Sequence, residues 1–274
     1  MARSPVDILQ VQTLPWSLGL GEARHDVQVR TLSHDPVTGA RSDLLRYPAG
    51  WNRQTAEHLT VDEEFYVLDG TLEINGFRYR PDNYAYLPAG FERRHAASEE
   101  GAVVLTFFSG APKARPGRGT PDLSRWVGRI DPYVTIWSPD PQGLAVEAEL
   151  KAGARVKLLR EDPVTKAQTF LVGFVAVWRD ERQLEAATDL EAYLLGGDCT
   201  LAGRGVMRQG AYACRPRGTR FGPQGSLTPT VMLVRSAAGP YRVVEHGRTT
   251  VDLDVSAKSP GGPNNQPTAD NPAW

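Results

Sequence analysis

Apolar residues in this chain come in short blocks of strand character. In the first half they lie at 27–32, 42–48, 64–69, 71–75, 84–87 and 102–108, rich in Val, Leu, Tyr and Phe, with Gly, Pro, Asn and Asp between them. Such residues fit a pleated, half-buried surface, and the intervening types supply turns. No stretch keeps the 3.6-residue period of a long helix. "LDGTLEING" (68–76) reads as a hairpin with Asp69-Gly70 as its turn. Many short strands with close turn signals predict an all-β sandwich or barrel, in which inward and outward residues alternate.

The pattern occurs twice. "VRTLSHDPVTGA" at 29–40 returns as "VKLLREDPVTKA" at 156–167, an offset of 127 from Asp35 to Asp162. In that register Trp51 meets Trp178, Glu64 meets Glu191, Tyr66 meets Tyr193 and Gly70 meets Gly197. A later insertion moves the offset to 128, so that Pro88 meets Pro216, Gly90 meets Gly218 and Ser98 meets Ser226. Upstream, "TLPWS" at 13–17 echoes "TIWS" at 135–138. An internal repeat of this length predicts two copies of one domain. The expected boundaries are 8–112 and 130–248, joined by a Gly-, Pro- and base-rich linker at 113–129 and followed by a flexible tail at 249–274. A docked tail anchored by Trp274 is the alternative.

The 274 residues are enough to bury a core in each copy. A net charge of −1 and a charged fraction of 23% give no reason to expect nucleic acid as a partner. No run approaches the ~18 apolar residues of a membrane span, and the N-terminus has no continuous apolar leader. The two cysteines, Cys199 and Cys214, are too few for a disulfide framework and read as reduced thiols of a cytoplasmic protein. Neither a phosphate-binding loop nor a nucleophile-elbow motif is present, and "GLGEARH" at 19–25 is a loop without the strand-turn-helix context of a phosphate cradle. His25, His34 and His246 are isolated and read as surface or strand-end residues.

Two stretches resemble the cupin superfamily of jelly-roll β-barrels. The first runs from Gly50 through His58 and Glu63 to Gly70; the second is "GFRYRPDNYAYLPAG" followed by "FERRHAASEEG". The resemblance is nearest to bicupins, two-barrel chains similar to the zinc-binding cupin-like domain of certain anti-sigma factors. It implies two tandem cupin barrels and a divalent transition metal, Fe, Mn, Ni or Zn. Two of the usual ligand positions depart from the pattern, because Ala56 and Arg93 stand where histidines are expected. The metal set that the resemblance leaves is His58, Glu63 and His95, with His95 sharing Arg93's face of an extended strand. The other reading is a His58–Glu63 pair lining a metal-free pocket, with His95 on a loop at its mouth.

Arg93 is a candidate to bind an anionic group of a substrate or to neutralise Glu63, and otherwise reads with Arg94 as an exposed basic pair. Trp51, Tyr66 and Tyr86 are candidate aromatic walls or core residues. Strand alternation puts Glu57 and Glu64 on the face away from the metal. In the second copy Glu185, Leu190 and Phe221 stand where His58, Glu63 and Arg93 do, so that barrel is expected to be structural or to hold an apolar ligand. The expected function is a metal-dependent oxidoreductase of the dioxygenase type acting on a small organic molecule. The alternatives are a non-catalytic small-molecule sensor and a metal-free isomerase or epimerase with His58 and Glu63 as acid and base. Cupins commonly pair through strands, so a homodimer is expected.

Overall fold

The "DPVT" stretch that appears twice folds twice into the same turn. Asp35 Oδ1 accepts from the backbone N–H groups of Val37 (2.9 Å) and Thr38 (3.2 Å), and Asp162 Oδ1 accepts from Val164 (3.0 Å) and Thr165 (2.8 Å). An aspartate that satisfies N–H groups two and three residues on holds such a turn before any long-range contact forms. The tryptophans of the other echo also match. Trp16 packs against the guanidinium groups of Arg30 (4.3 Å) and Arg46 (4.0 Å), while Trp137 packs against Lys157 Nζ at 4.8 Å.

The structure is a computed structural model and describes residues 3–20, 23–24, 26–137, 150 and 153–253. Helical structure among them is confined to short 3-10 turns, and none of their helices is long and apolar enough to cross a membrane. The chain divides into two compact units. The first is built on residues 14–135. Its large antiparallel sheet runs in the order Val127–Ile130, Tyr84–Leu87, Glu63–Gly70, Ala102–Phe108, Arg41–Tyr47, Gln28–His34, Ser17–Leu18. Two small sheets complete the barrel. One is Glu92–Arg93, Glu57–Leu59 and Ala114–Pro116; the other is Trp51–Arg53, Ala96–Ser98, Leu72–Ile74 and Phe77–Tyr79. Phe65, Val67, Ala85, Leu87, Val104 and Leu59 pack inside.

The second unit has the same plan, with a six-stranded sheet ordered Val6–Gln10, Ala211–Arg215, Leu190–Gly196, Thr230–Ser236, Gln168–Phe174, Ala154–Glu161. Its core contains Phe170, Val172, Leu184, Leu190, Met207 and Phe221. Both units are all-β jelly rolls related by the internal repeat.

Several local expectations need correction. Asp69-Gly70 is a corner rather than a hairpin turn: Glu63–Gly70 belongs to the large sheet and Leu72–Ile74 to a small one. Gly70 has φ +69°, and a Cβ there would lie 2.1 Å from Gly101 O, so only glycine fits. The hairpin turns instead on Asn75-Gly76, φ 54° and 83°, between the paired residues Ile74 and Phe77. Positive φ at both central residues is what a tight hairpin with right-twisted strands requires.

Residues 113–129 are not a free linker. Ala114–Pro116 pairs with Glu57–Leu59, Val127–Ile130 pairs with Tyr84–Leu87, and Trp126 stacks on Phe91 at 5.8 Å. These strands cover edges that would otherwise leave backbone groups unpaired. The strand Val6–Gln10 pairs with Ala211–Arg215 and so belongs to the second unit. At the other end Val251 and Leu253 are buried beside Gly225, so the tail is packed through residue 253; residues 254–274, with Trp274, lie outside the described residues.

Candidate functional site

The interior of the first barrel carries an ion network assembled from five segments, the loop carrying Arg24 and Asp26 and the strands Trp51–Arg53, Glu57–Leu59, Glu63–Gly70 and Glu92–Arg93. Arg93 stands directly across from Glu57 in the pairing of their short strands, and His58 stands across from Glu92. Paired residues share a face and neighbours alternate, so Glu57 and Arg93 point one way and His58 the other. Leu59, two residues from Glu57, packs in the core and identifies that face as the interior. Glu63 faces inward for the same reason, two residues before the core residue Phe65.

Inside, Arg93 Nη2 donates to Glu63 Oε2 at 2.5 Å, and Arg24 Nη2 lies 3.7 Å from the same oxygen. Arg24 Nη1 donates to Glu57 Oε1 at 3.2 Å and to the Ala23 carbonyl at 3.0 Å. Arg53 Nη1 reaches Glu57 Oε2 at 3.1 Å, and its Nη2 lies 3.5 Å from Asp26 Oδ1. Asp26 also accepts from the Trp51 indole at 2.8 Å. Three guanidinium groups thus face three carboxylates.

Burial would push Arg24 down, but Tyr47, Glu63 and Glu57 raise it above the usual arginine range. Arg93 is lowered, first by burial and then by Arg24, with Glu63 opposing. Burial pushes the Tyr47 phenol up against the pull of Arg24. Breaking one member out of such a buried set leaves an uncompensated charge, the costly event for buried ion pairs.

The residues expected to hold a metal are not brought together. His58 points away from the interior, and its Nδ1 lies 3.0 Å from the Gly117 carbonyl. Glu63 is engaged by two guanidinium groups. His95 is about 40% exposed, with Nδ1 3.5 Å from Glu73 Oε1 and its backbone N–H donating to Asn75 Oδ1. No group of three His, Cys, Asp or Glu side chains among the described residues could hold a metal ion. The donor set therefore does not fit one: a fixed guanidinium compensates Glu63 where a cation would. The same separation of faces leaves His58 and Glu63 unable to act as one acid–base pair.

Of the expected walls, Trp51 packs in the interior, edge-on to Tyr47 at 4.7 Å. Tyr66 and Tyr86 share the face of Glu64, opposite to Phe65 and Leu87. Tyr66 donates to Asp82 at 2.9 Å, and Tyr86 meets Arg125 at 2.5 Å. Glu64 is buried and accepts from Tyr84 at 2.8 Å, and its repeat partner Glu191 is held the same way by Tyr212 at 2.5 Å, with Arg235 at 2.8 Å. The Glu64 position is structural in both units. Glu57, expected to point away from the site, faces the interior.

Three members of this network are hydrocarbon in the second barrel. Leu184, Leu190 and Phe221 occupy the places of Glu57, Glu63 and Arg93. Across the strand pair the polar residue has changed sides: Leu87 faces Glu63 in the first barrel, while Arg215 faces Leu190 in the second. Arg215 lines a cavity of about 40 Å³ together with Phe170, Val172, Met207, Met232 and Tyr241. Glu185, at the position of His58, lies on the other face, with His246 at 3.0 Å and Arg220 at 3.7 Å.

Sequence reasoning passed over Arg24, Arg53, Asp26 and Arg215. Arg24 lies in an irregular loop where no periodicity says which way a side chain points. Arg215 did carry a signal. In "AYACR" it shares the parity of Ala211 and Ala213, both core residues.

Residues 6–111, less than half of the chain, match the family model of the ChrR Cupin-like domain. No curated protein matches the chain. Among solved structures it is similar to a candidate dioxygenase from Nostoc punctiforme, at 17% identity over 89% of this chain and 87% of that one, with TM-score 0.75. It is also similar to the salicylate 1,2-dioxygenase of Pseudaminobacter salicylatoxidans, at 11% identity over 90% of both chains, with TM-score 0.63. Vicilin from hazelnut, Corylus avellana, aligns at 11% identity over 87% of both chains, with TM-score 0.53. The fold is the cupin jelly roll, present twice in tandem. The functions of these relatives differ, which is the rule for a fold that hosts many sites.

Proposed function

We propose that this chain is a metal-free cupin that binds a small molecule without transforming it, as a sensor or carrier does. The observation that carries the reading is the 2.5 Å contact of Arg93 with Glu63, in a barrel whose arginines and carboxylates are matched among themselves. A carboxylate compensated in this way has no call on a metal ion, and a site without one lacks the open coordination positions on which oxygen chemistry depends. The cavity in the second barrel gives a binding protein somewhere to bind.

The resemblance to a candidate dioxygenase and to salicylate 1,2-dioxygenase, one structure of which is an adduct with gentisate, favours a second reading, an oxidoreductase of the dioxygenase type. Metal analysis separates the two. Protein is produced with Fe, Mn, Ni and Zn in the medium, purified without chelator and assayed by plasma mass spectrometry beside a Glu63→Gln variant. The expected result is metal far below one equivalent in both. Stoichiometric metal in the wild type that disappears with Glu63→Gln would overturn the binding reading and restore the enzyme.

A further inference from the structure

We propose that the second barrel is a receptor site for a short-chain carboxylate, with the carboxyl group on Arg215 and the hydrocarbon part in the cavity beside it. This deepens the binding reading above and rests on it.

The starting observation is a buried cation without a counter-ion. Arg215 is 9% exposed, and among the described residues no carboxylate forms an ion pair with it and its Nε has no hydrogen-bond partner. Its guanidinium carbon lies 4.1 Å from the centre of the Phe221 ring, which fixes the plane but supplies no anion. Burial lowers Arg215 below the usual arginine range. The charged and titratable groups acting on it are few. Cys199 and Tyr241 are near, burial pushes the Cys199 thiol up to about 12, and Asp7 is ion-paired with Arg204. In the first barrel Arg24, Arg53 and Arg93 each have a carboxylate partner.

The cavity says what kind of anion fits. Phe170, Val172, Met207 and Met232 supply apolar walls, and the carboxylate in the lining, Glu191, is held by Tyr212 and Arg235. A free volume of about 40 Å³ holds roughly three or four water-sized spheres, the bulk of an acid with a few carbons. One unpaired cation balances a monoanion and would leave a phosphate dianion under-compensated. A guanidinium presents parallel N–H donors that match a carboxylate in bidentate fashion. Gln224, also among the lining residues, can supply an amide donor. Met207 and Met232 are flexible enough to close on hydrocarbon of slightly different lengths.

The test uses the full chain and calorimetric titration with butanoate, butanamide, butan-1-ol and sodium chloride. Butanoate is expected to bind, with the two neutral analogues at least tenfold weaker. Arg215→Met should weaken butanoate at least tenfold, and should hold or raise the melting temperature of ligand-free protein, since it removes an uncompensated buried charge. A fall in that temperature would mark Arg215 as a structural cation and overturn the assignment. As a second variant, Ala213→Leu fills the cavity and leaves Arg215 in place; undiminished butanoate binding would overturn the site. Butanamide binding as tightly as butanoate, or chloride stabilising as much, would also overturn it, leaving an apolar pocket or an inorganic anion site. None of these results bears on metal content, so this inference can fail while the binding reading stands.

Discussion

Arg93→Phe puts into the first barrel the residue that the second already carries at that place, Phe221. The change removes the 2.5 Å partner of Glu63 and leaves Arg24, at 3.7 Å, as its remaining cation. Removing one partner of a buried pair costs about 3–5 kcal/mol. Because Arg24 stays, the expected loss is at the lower end, about 3 kcal/mol. For a unit of this size that corresponds to roughly 10 °C in melting temperature. Glu63→Leu alone should cost a similar amount, because it strands Arg93. The double variant Arg93→Phe with Glu63→Leu removes one charge of each sign and copies the Phe221–Leu190 arrangement. It should unfold within about 1 kcal/mol of wild type, since buried pairs replaced by hydrocarbon are often neutral. Urea denaturation of all four proteins, followed by circular dichroism, gives the coupling as a double-mutant cycle. If the double variant loses as much as the two single losses added together, the two residues are not a coupled pair and the account of the first barrel is wrong.

Three further outcomes follow from the same structure. His58→Ala should cost no more than about 1.5 kcal/mol, the worth of its contact with the Gly117 carbonyl, and should leave metal content unchanged; loss of bound metal would refute the outward placement. Gly70→Ala forces a Cβ to 2.1 Å from Gly101 O, and thermal melting should show a loss of several kcal/mol, beyond the usual ~1 kcal/mol glycine effect; a near-normal melt would refute the corner. Cys199 has an ordinary thiol value of 9.0, raised by burial to about 12. The unfolded chain therefore loses this proton first, and the contribution is intact below pH 9 and fades as pH rises towards 12. Near pH 10 the loss is on the order of 1 kcal/mol, and Cys199→Ala should abolish that part of the alkaline destabilisation in urea titrations.

Strand positions were legible because each depends on local composition, and the repeat was legible because residues such as Asp35 and Asp162 build the same turn from their own neighbours. Side-chain direction was harder. The inward face at 57–59 is decided by which neighbour pairs with Arg93, a contact some 35 residues away, and the spacing of His58 to Glu63 is silent on that register. A bulge or a corner between the two residues can reverse the face, and here they lie on different strands, Glu57–Leu59 and Glu63–Gly70, joined by an irregular link. Arg24 was invisible for a related reason: it comes from a loop, and its place follows from the carboxylates it meets. The comparison of copies was the better guide. Leu184, Leu190 and Phe221 together mark the interior positions that Glu57, Glu63 and Arg93 fill in the first barrel.

The strand Val6–Gln10 has its hydrogen-bonding partner at Ala211–Arg215, more than two hundred residues later. On the ribosome this segment is made before the first barrel and is left waiting while that whole barrel emerges and folds. At synthesis rates of about 5–20 residues per second the wait is on the order of 10–40 s. Until then an apolar segment is unpaired, and Ala211–Arg215 in turn emerges with an open edge that Val6–Gln10 closes. A bulky group inserted directly before Val6 would accordingly weaken the second barrel, and leave the first intact.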